Sequence, residues 1–458
     1  MESSFHGVLA FAFLGAMLLL GTILRARVGF LRSALVPASL IGGVIGFTLI
    51  AFGMAYGYKS SDFAPFTFHF FTLSFMSLVL ARGEKNQGSS AVWGGSWLSM
   101  VWVMSLVLQA LIGLIVILGF NAATSGGLSE YLGILVTHGF TQGPGQALAI
   151  GSIWESEFAI QNAMSFGLIY ASMGFIAAFG IGVPVARWAV RQGLNANRSA
   201  RIDDEFVAGV LNENTNLSAG KQVTHPANVD TLAYHLAILA VAYLLTDAYI
   251  NFMNPLVSQL DLGDIHLDVI FSHNLFFFHG LIICVLLRAG LDRFGLGQFI
   301  DDDTQRRITG SAVDFMVVAT IMSVEFALLA EYFMPILVVC LAVSAATALL
   351  CFGFGRQLSE HGIERALTAF GCCCGSTGSG ILLLRMLDPD LRTPIARELA
   401  FFNIAILFFA FHVLTIMAPI LPSLSLALVV SVYVGTFAIC AIGALWIVRR
   451  LNVSGMPG

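Results

Sequence analysis

Two stretches of this 458-residue chain crowd small and polar residues into otherwise apolar surroundings. The first reads THGFTQGPGQALAIG from Thr137 to Gly151, and the second GCCCGSTGSG from Gly371 to Gly380. Their polar members are Thr137, His138, Thr141, Gln142 and Gln146, set around Gly139, Gly143, Pro144 and Gly145, and then Ser376, Thr377 and Ser379, set around Gly375, Gly378 and Gly380. Glycine and proline at this density interrupt a helix and leave amides and carbonyls bare. Half-helix N-termini attract anionic groups, while exposed carbonyls and half-helix C-termini coordinate sodium. Glycines also let helices approach closely without binding anything, but two such clusters at matched places favour the binding of a charged solute.

Other candidates are scattered. Glu325 and Asp314 fall in one apolar run, eleven residues or about three turns apart, which predicts a shared face able to neutralise a cation or carry a proton. A charge at the middle of a membrane helix is costly and points to function, although a protonated, hydrogen-bonded packing residue fits equally well. Ser77 and Ser323 could offer oxygens to sodium, but a serine on a membrane helix more often bonds its own backbone. His69, His273, His279 and His412 read as structural hydrogen-bonders. Arg385 reads as an interfacial anchor after the second cluster. The run Cys372-Cys373-Cys374 could hold a soft metal, but adjacent side chains diverge and packing is the better reading.

The elements that position these groups follow from composition. Residues are 57% hydrophobic and 11% charged, where a soluble domain carries about 25% charged residues. The net charge of -5 gives no reason to expect a nucleic-acid partner. Runs long enough to span a bilayer, about 20 residues each, lie at 6–24, 35–55, 66–81, 97–120 and 163–186. A second set lies at 231–250, 268–288, 311–330, 332–355, 399–420 and 424–448. The two glycine-rich clusters sit in further runs, 132–153 and 366–387. Bare backbone in hydrocarbon survives only inside protein or beside a cavity, so each of these reads as a re-entrant hairpin that returns to its own side.

Flanking charges test that topology, because Lys and Arg collect on the cytoplasmic side. With the N-terminus outside and both hairpins re-entrant, 21 of the 22 basic residues face the cytoplasm and only Lys59 faces out. The hairpins then enter from opposite faces, as inverted repeats require. Phe75–Ala81 (FMSLVLA) and Ile321–Ala327 (IMSVEFA) support the repeat weakly. The expected fold is an all-α polytopic membrane protein of two inverted-topology repeats, with about eleven spans plus two re-entrant segments. Its divisions are a first repeat at 1–190, a cytoplasmic linker at 191–230, a second repeat at 231–420, and an extra C-terminal span and tail at 421–458.

The run from His138-Gly139 to Gly182-Val183-Pro184-Val185-Ala186-Arg187 resembles the first half of bacterial sodium/glutamate symporters, which have a His-Gly-rich re-entrant segment and a span ending Gly-Pro-Val-Ala-Arg. Gly375-Ser376-Thr377-Gly378 is similar to that family's Gly-Ala-Thr-Pro, and Val285–Leu291 sits at a comparable span end. The resemblance reaches to about residue 420 and implies sodium-coupled glutamate uptake by a homodimer in the bacterial inner membrane, with a moving domain that carries both loops. The chain departs at Thr141–Gln146 (TQGPGQ), at the apolar Ile381–Leu384 and in its extra last span. Glutamate is the part of the expectation these departures weaken.

The leading expectation is therefore a symporter for glutamate or a related amino-acid or dicarboxylate anion, with sodium as the sole metal and no other cofactor. A sodium/proton antiporter working through Glu325 and Asp314 is the alternative. An enzyme would need a nucleophile with its base, for which His138 near Thr141 is too weak a basis.

Overall fold

The computed structural model describes residues 2–81, 89–124, 126–197, 204–211, 220–259, 267–389 and 391–454. Arg82, Lys85, Arg198 and Arg201, which carry part of the charge argument, lie outside the described residues. The described chain is all helical. Its main elements are α1 (Glu2–Arg27), α2 (Ala38–Ala51), α3 (Ala64–Leu80), α4 (Ser89–Thr124), α5 (Tyr131–Phe140), α6 (Pro144–Phe158) and α7 (Ala163–Arg191). There follow α8 (Thr231–Val257), α9 (Phe276–Arg293), α10 (Asp302–Met322), α11 (Phe333–Gly355), α12 (Gly362–Cys374), α13 (Thr377–Leu387), α14 (Ile395–Phe409) and α15 (Leu426–Ser454).

Eight of the described helices are long and apolar enough to cross a membrane, so the chain is a polytopic membrane protein. Three expected spans depart from that standard for different reasons. Helix α2 has 14 residues, roughly 21 Å at about 1.5 Å per residue, against a hydrocarbon core of about 30 Å. Helix α10 is long enough, but it opens on Asp302, Asp303, Arg306 and Arg307. It is also capped by Asp301, whose carboxylate accepts from the Thr304 amide at 2.9 Å. Helix α14 stops at Phe409 and passes into a π-helical turn at His412–Met417.

The helices pack in two groups. In one, α1 lies on α2, α2 on α10, α10 on α3, α3 on α9 and α9 on α8. In the other, α4 is the central post, packed by α11, α14 and α15, with α5 between it and α7, α6 on α7, α12 against α7 and α11, and α13 on α7 and α12. Helix α4 earns that position from its sequence: Trp97, Met104, Val107 and Ala110 are fully buried, giving it apolar contact on several faces. The groups meet where α3 touches α6 and where α10 touches α7. The isolated histidines sit in hydrogen bonds: His279 and His412 pair with the Ile270 carbonyl and the Thr436 hydroxyl at 2.8 and 2.9 Å, and His273 pairs with Asp247 at 2.8 Å.

Candidate functional site

Both glycine-rich runs are helices broken in the middle. Between α5 and α6, Pro144 takes the first helical position, where its missing N–H costs nothing. Gly143 before it has φ 94°, a conformation other residues rarely adopt. Between α12 and α13, Ser376 is extended, and its hydroxyl accepts from the Ser379 amide at 3.3 Å to cap α13. The two breaks meet: a Cβ on Gly143 would stand 3.5 Å from the Gly375 carbonyl oxygen. Gly174 of α7 permits the approach, because any side chain there would collide with the Cys374 carbonyl.

A residue outside both runs ties the breaks together. Gln109 of α4 is fully buried. Its Oε1 accepts from the Thr141 hydroxyl at 2.6 Å. Its Nε2 lies 2.9 Å from the Cys373 carbonyl oxygen, 3.0 Å from Thr347 Oγ1 and 3.1 Å from Ser105 Oγ. Sequence reasoning missed Gln109 and Thr347. The signal was there: a lone amide at the centre of an apolar 36-residue helix must find partners, since hydrocarbon supplies none.

A cavity of about 90 Å3 opens where the breaks meet. Thr141, Gln142 and Gln146 line it from the first break, and Cys372, Ser376 and Thr377 from the second. Opposite stands an apolar wall that includes Phe71, Phe75, Trp102, Phe277, Phe278, Phe402 and Phe411. The N-termini of α6 and α13 both begin at this cavity, which gives it a positive local potential without a charged side chain. The Thr377 hydroxyl donates to Asn403 Oδ1 at 2.9 Å, and Asn403 in turn donates to the Leu399 carbonyl at 3.0 Å. Gln142 Nε2 stands 3.4 Å from His138 Nδ1. Gln146 is 6% exposed and hydrogen-bonds to nothing within the described residues.

The other expected residues stand elsewhere. Thr137 donates to the Leu106 carbonyl at 2.7 Å, against α4. His138 sets its ring across that of Trp154, with centroids 6.0 Å apart. It is bonded to Gln142, while Thr141 is bonded to Gln109, so the two do not form a nucleophile–base pair. Gly139 packs on Tyr170 and Ala171, Gly378 faces Val313 of α10, and Ser379 lies beside Gly375.

The cation candidates stand away from this cavity. Ser77 Oγ lies 2.6 Å from Gln305 Oε1 and 2.7 Å from the Gln305 carbonyl oxygen, and Ser323 donates to the Ala319 carbonyl at 2.7 Å; neither lines the cavity. Glu325 lies outside helix α10. Helix α10 ends at Met322, and Glu325 is exposed at the N-cap of a separate short helix, Phe326–Glu331. The shared face with Asp314 therefore does not exist, because the helical period stops before Glu325. Asp314 lies beside Arg25 with a hydrogen bond from Ser39.

Charge collects instead at the far end of the second broken helix. The Arg365 guanidinium, read from the sequence only as a cytoplasmic charge, is buried and grips Glu398 of α14 in two bonds of 2.6 and 2.8 Å. Glu364 accepts from the Ala196 amide at 2.6 Å. Asp388 accepts from the Thr393 and Arg392 amides at 2.7 and 3.0 Å and from Asn197 Nδ2 at 3.1 Å. Burial would raise the pKa of Asp388, but these bonds hold it below the ordinary carboxylate value.

The sequence model of the sodium/glutamate symporter family matches residues 4–358. The chain belongs to that family. It is a membrane transporter by kinship, and the family is not one of enzymes. The match takes in the first break, Gln109 and Thr347. It stops short of α12, so the likeness at Gly375–Gly378 lies beyond it and the matched region ends well before residue 420. No curated protein matches the chain.

Proposed function

We propose that this symporter-family chain is a sodium-coupled secondary transporter that takes up a small carboxylate-bearing solute by alternating access, with glutamate or a related amino-acid or dicarboxylate anion as the substrates the family suggests. The observation that carries the reading is the convergence of two broken helices on one cavity. Two helix N-termini there favour a carboxylate, and the buried, unpartnered Gln146 waits beside them. Sodium would meet neutral oxygens close by, such as the Thr141 hydroxyl and the carbonyls exposed at the breaks. One uncompensated charge crossing about 100 mV contributes about 2.3 kcal/mol, enough to concentrate solute.

The inverted-repeat reading draws support from paired contacts. Helix α2 lies on α10 as α9 lies on α3, and α4 holds α5 as α11 holds α12. The weak sequence match of the two halves falls at the same places: Met76 packs on Gly280, and Met322 packs on Gly46. In this reading each broken helix is re-entrant and the N-terminus lies outside. The C-terminus is then cytoplasmic, and the protein works as a homodimer in a bacterial inner membrane. The helix group around α4 carries the site past the group built on α3 and α10. The antiporter alternative would have to work with Asp314 and Glu325 on separate helical elements.

Uptake into proteoliposomes, with and without an inward sodium gradient, is the test. Sodium-driven accumulation that Gly378→Leu abolishes is the expected result. Equal uptake in both conditions would contradict sodium coupling, and proton release on adding sodium alone would revive the antiporter.

A further inference from the structure

Resting on the transport reading above, we propose that the solute is an amino acid with a large uncharged, apolar side chain rather than glutamate. The cavity has one polar end, where the helix N-termini and neutral side chains suit a carboxylate and an amino group, and no charged side chain among the described lining to pair a second carboxylate. Gln146, Ser376 and Thr377 stand at the helix N-termini and offer neutral donors and acceptors. None of the described residues lining the cavity is Lys, Arg, His, Asp or Glu. His138 is the nearest basic side chain in sequence to the lining residues, but it is fully buried behind Gln142 and turns its ring to Trp154.

The remaining wall is aromatic and aliphatic. Trp102 and Phe402 stand edge to face at 6.1 Å, and Ile406, Phe411 and Leu414 continue the surface. These residues belong to α4, α14 and the turns after it, the same helix group that holds both breaks. This part of the apolar wall would therefore travel with the carboxylate site, while Phe71, Phe75, Phe277 and Phe278 stand on the other helix group. A glutamate side chain placed here would leave its carboxylate unpaired among rings, and an unpaired buried charge is strongly unfavourable. A leucine or phenylalanine side chain gains contact instead, each buried methylene being worth a factor of about ten or more in discrimination.

The full-length chain in proteoliposomes under an inward sodium gradient distinguishes the cases, with radiolabelled leucine, phenylalanine, glutamate and succinate as probes. The expected result is sodium-driven uptake of leucine or phenylalanine with a KM at least about tenfold below that for glutamate. Phe402→Arg should narrow or reverse that preference. Because this variant could fail to fold, thermal stabilisation of the wild-type protein by each solute in sodium gives the same ranking without substitution. Sodium-driven glutamate uptake that excess leucine and phenylalanine leave unchanged would overturn this inference and keep the transport reading. No sodium-driven uptake of any of the four would overturn both.

Discussion

The second broken helix is held at its base by charges and at its break by neutral groups. At the base, Arg365 meets Glu398, Glu364 meets the Ala196 amide, and Asp388 gathers bonds from three residues. At the break, the Cys373 carbonyl meets Gln109 and Thr141, Ser376 meets the Ser379 amide, and Thr377 meets Asn403. Paired buried charges fix a geometry, because separating them leaves a bare ion. Neutral groups can exchange partners with a solute at small cost, since each bond lost is replaced by one of similar strength. The base is therefore suited to stay together, and the break to exchange partners.

The largest expected effect breaks the base. Glu398→Ala strands the Arg365 guanidinium in a buried site, at a cost of about 3–5 kcal/mol, and should remove most folded protein from the membrane. The double variant R365M/E398M should recover much of the melting temperature in detergent. A well-folded Glu398→Ala protein would mean the base is not the fixed end.

Next in size is Gln109→Leu, which leaves the Thr141 hydroxyl with only the Cys373 carbonyl and costs that carbonyl its amide donor. Each loosened group costs about 1–3 kcal/mol, and a binding loss of about 1.4 kcal/mol is tenfold. Uptake should fall about tenfold or more while expression persists; unchanged uptake would show that the breaks do not need this brace.

Asp388 sharpens the comparison through pH. Its native pKa is depressed, so its contribution is fully present above about pH 4, the ordinary unfolded value. That contribution is lost as pH falls through the lower native value. The wild-type melting temperature should therefore drop in acid, and Asp388→Asn should lack that component of the drop. Identical acid profiles would remove Asp388 from the account.

The smallest effect belongs to Ser323→Ala. Its hydroxyl bonds its own helix, so stability should stay within about 0.5 kcal/mol and sodium dependence should not move. A changed sodium dependence would restore Ser323 as a cation ligand.

Much of the fold could be read from the chain. The helix breaks at Gly143–Pro144 and Gly375–Ser376 show in sequence because glycine and proline act locally. What escaped reading depends on partners distant in the chain. Gln109 finds Thr347 and Cys373 more than two hundred residues away, and Arg365 is drawn inward by Glu398 on another helix. Glu325 was misplaced because the apolar run continues past Met322. Helix α10 ends there without a glycine or proline, and Ser323 simply turns its hydroxyl back to the Ala319 carbonyl. Within the cavity, the polar lining of both breaks was foreseen, but the aromatic wall that faces it comes from four other helices and their turns.

The most direct test of the cavity as the binding site is Gln146→Leu. The Gln146 side chain makes no hydrogen bond among the described residues, so its replacement breaks none and should leave the melting temperature near wild type. Sodium-dependent stabilisation by the transported solute, and its uptake into proteoliposomes, should be lost or greatly weakened. Normal binding and uptake by a well-folded Gln146→Leu protein would place the site elsewhere.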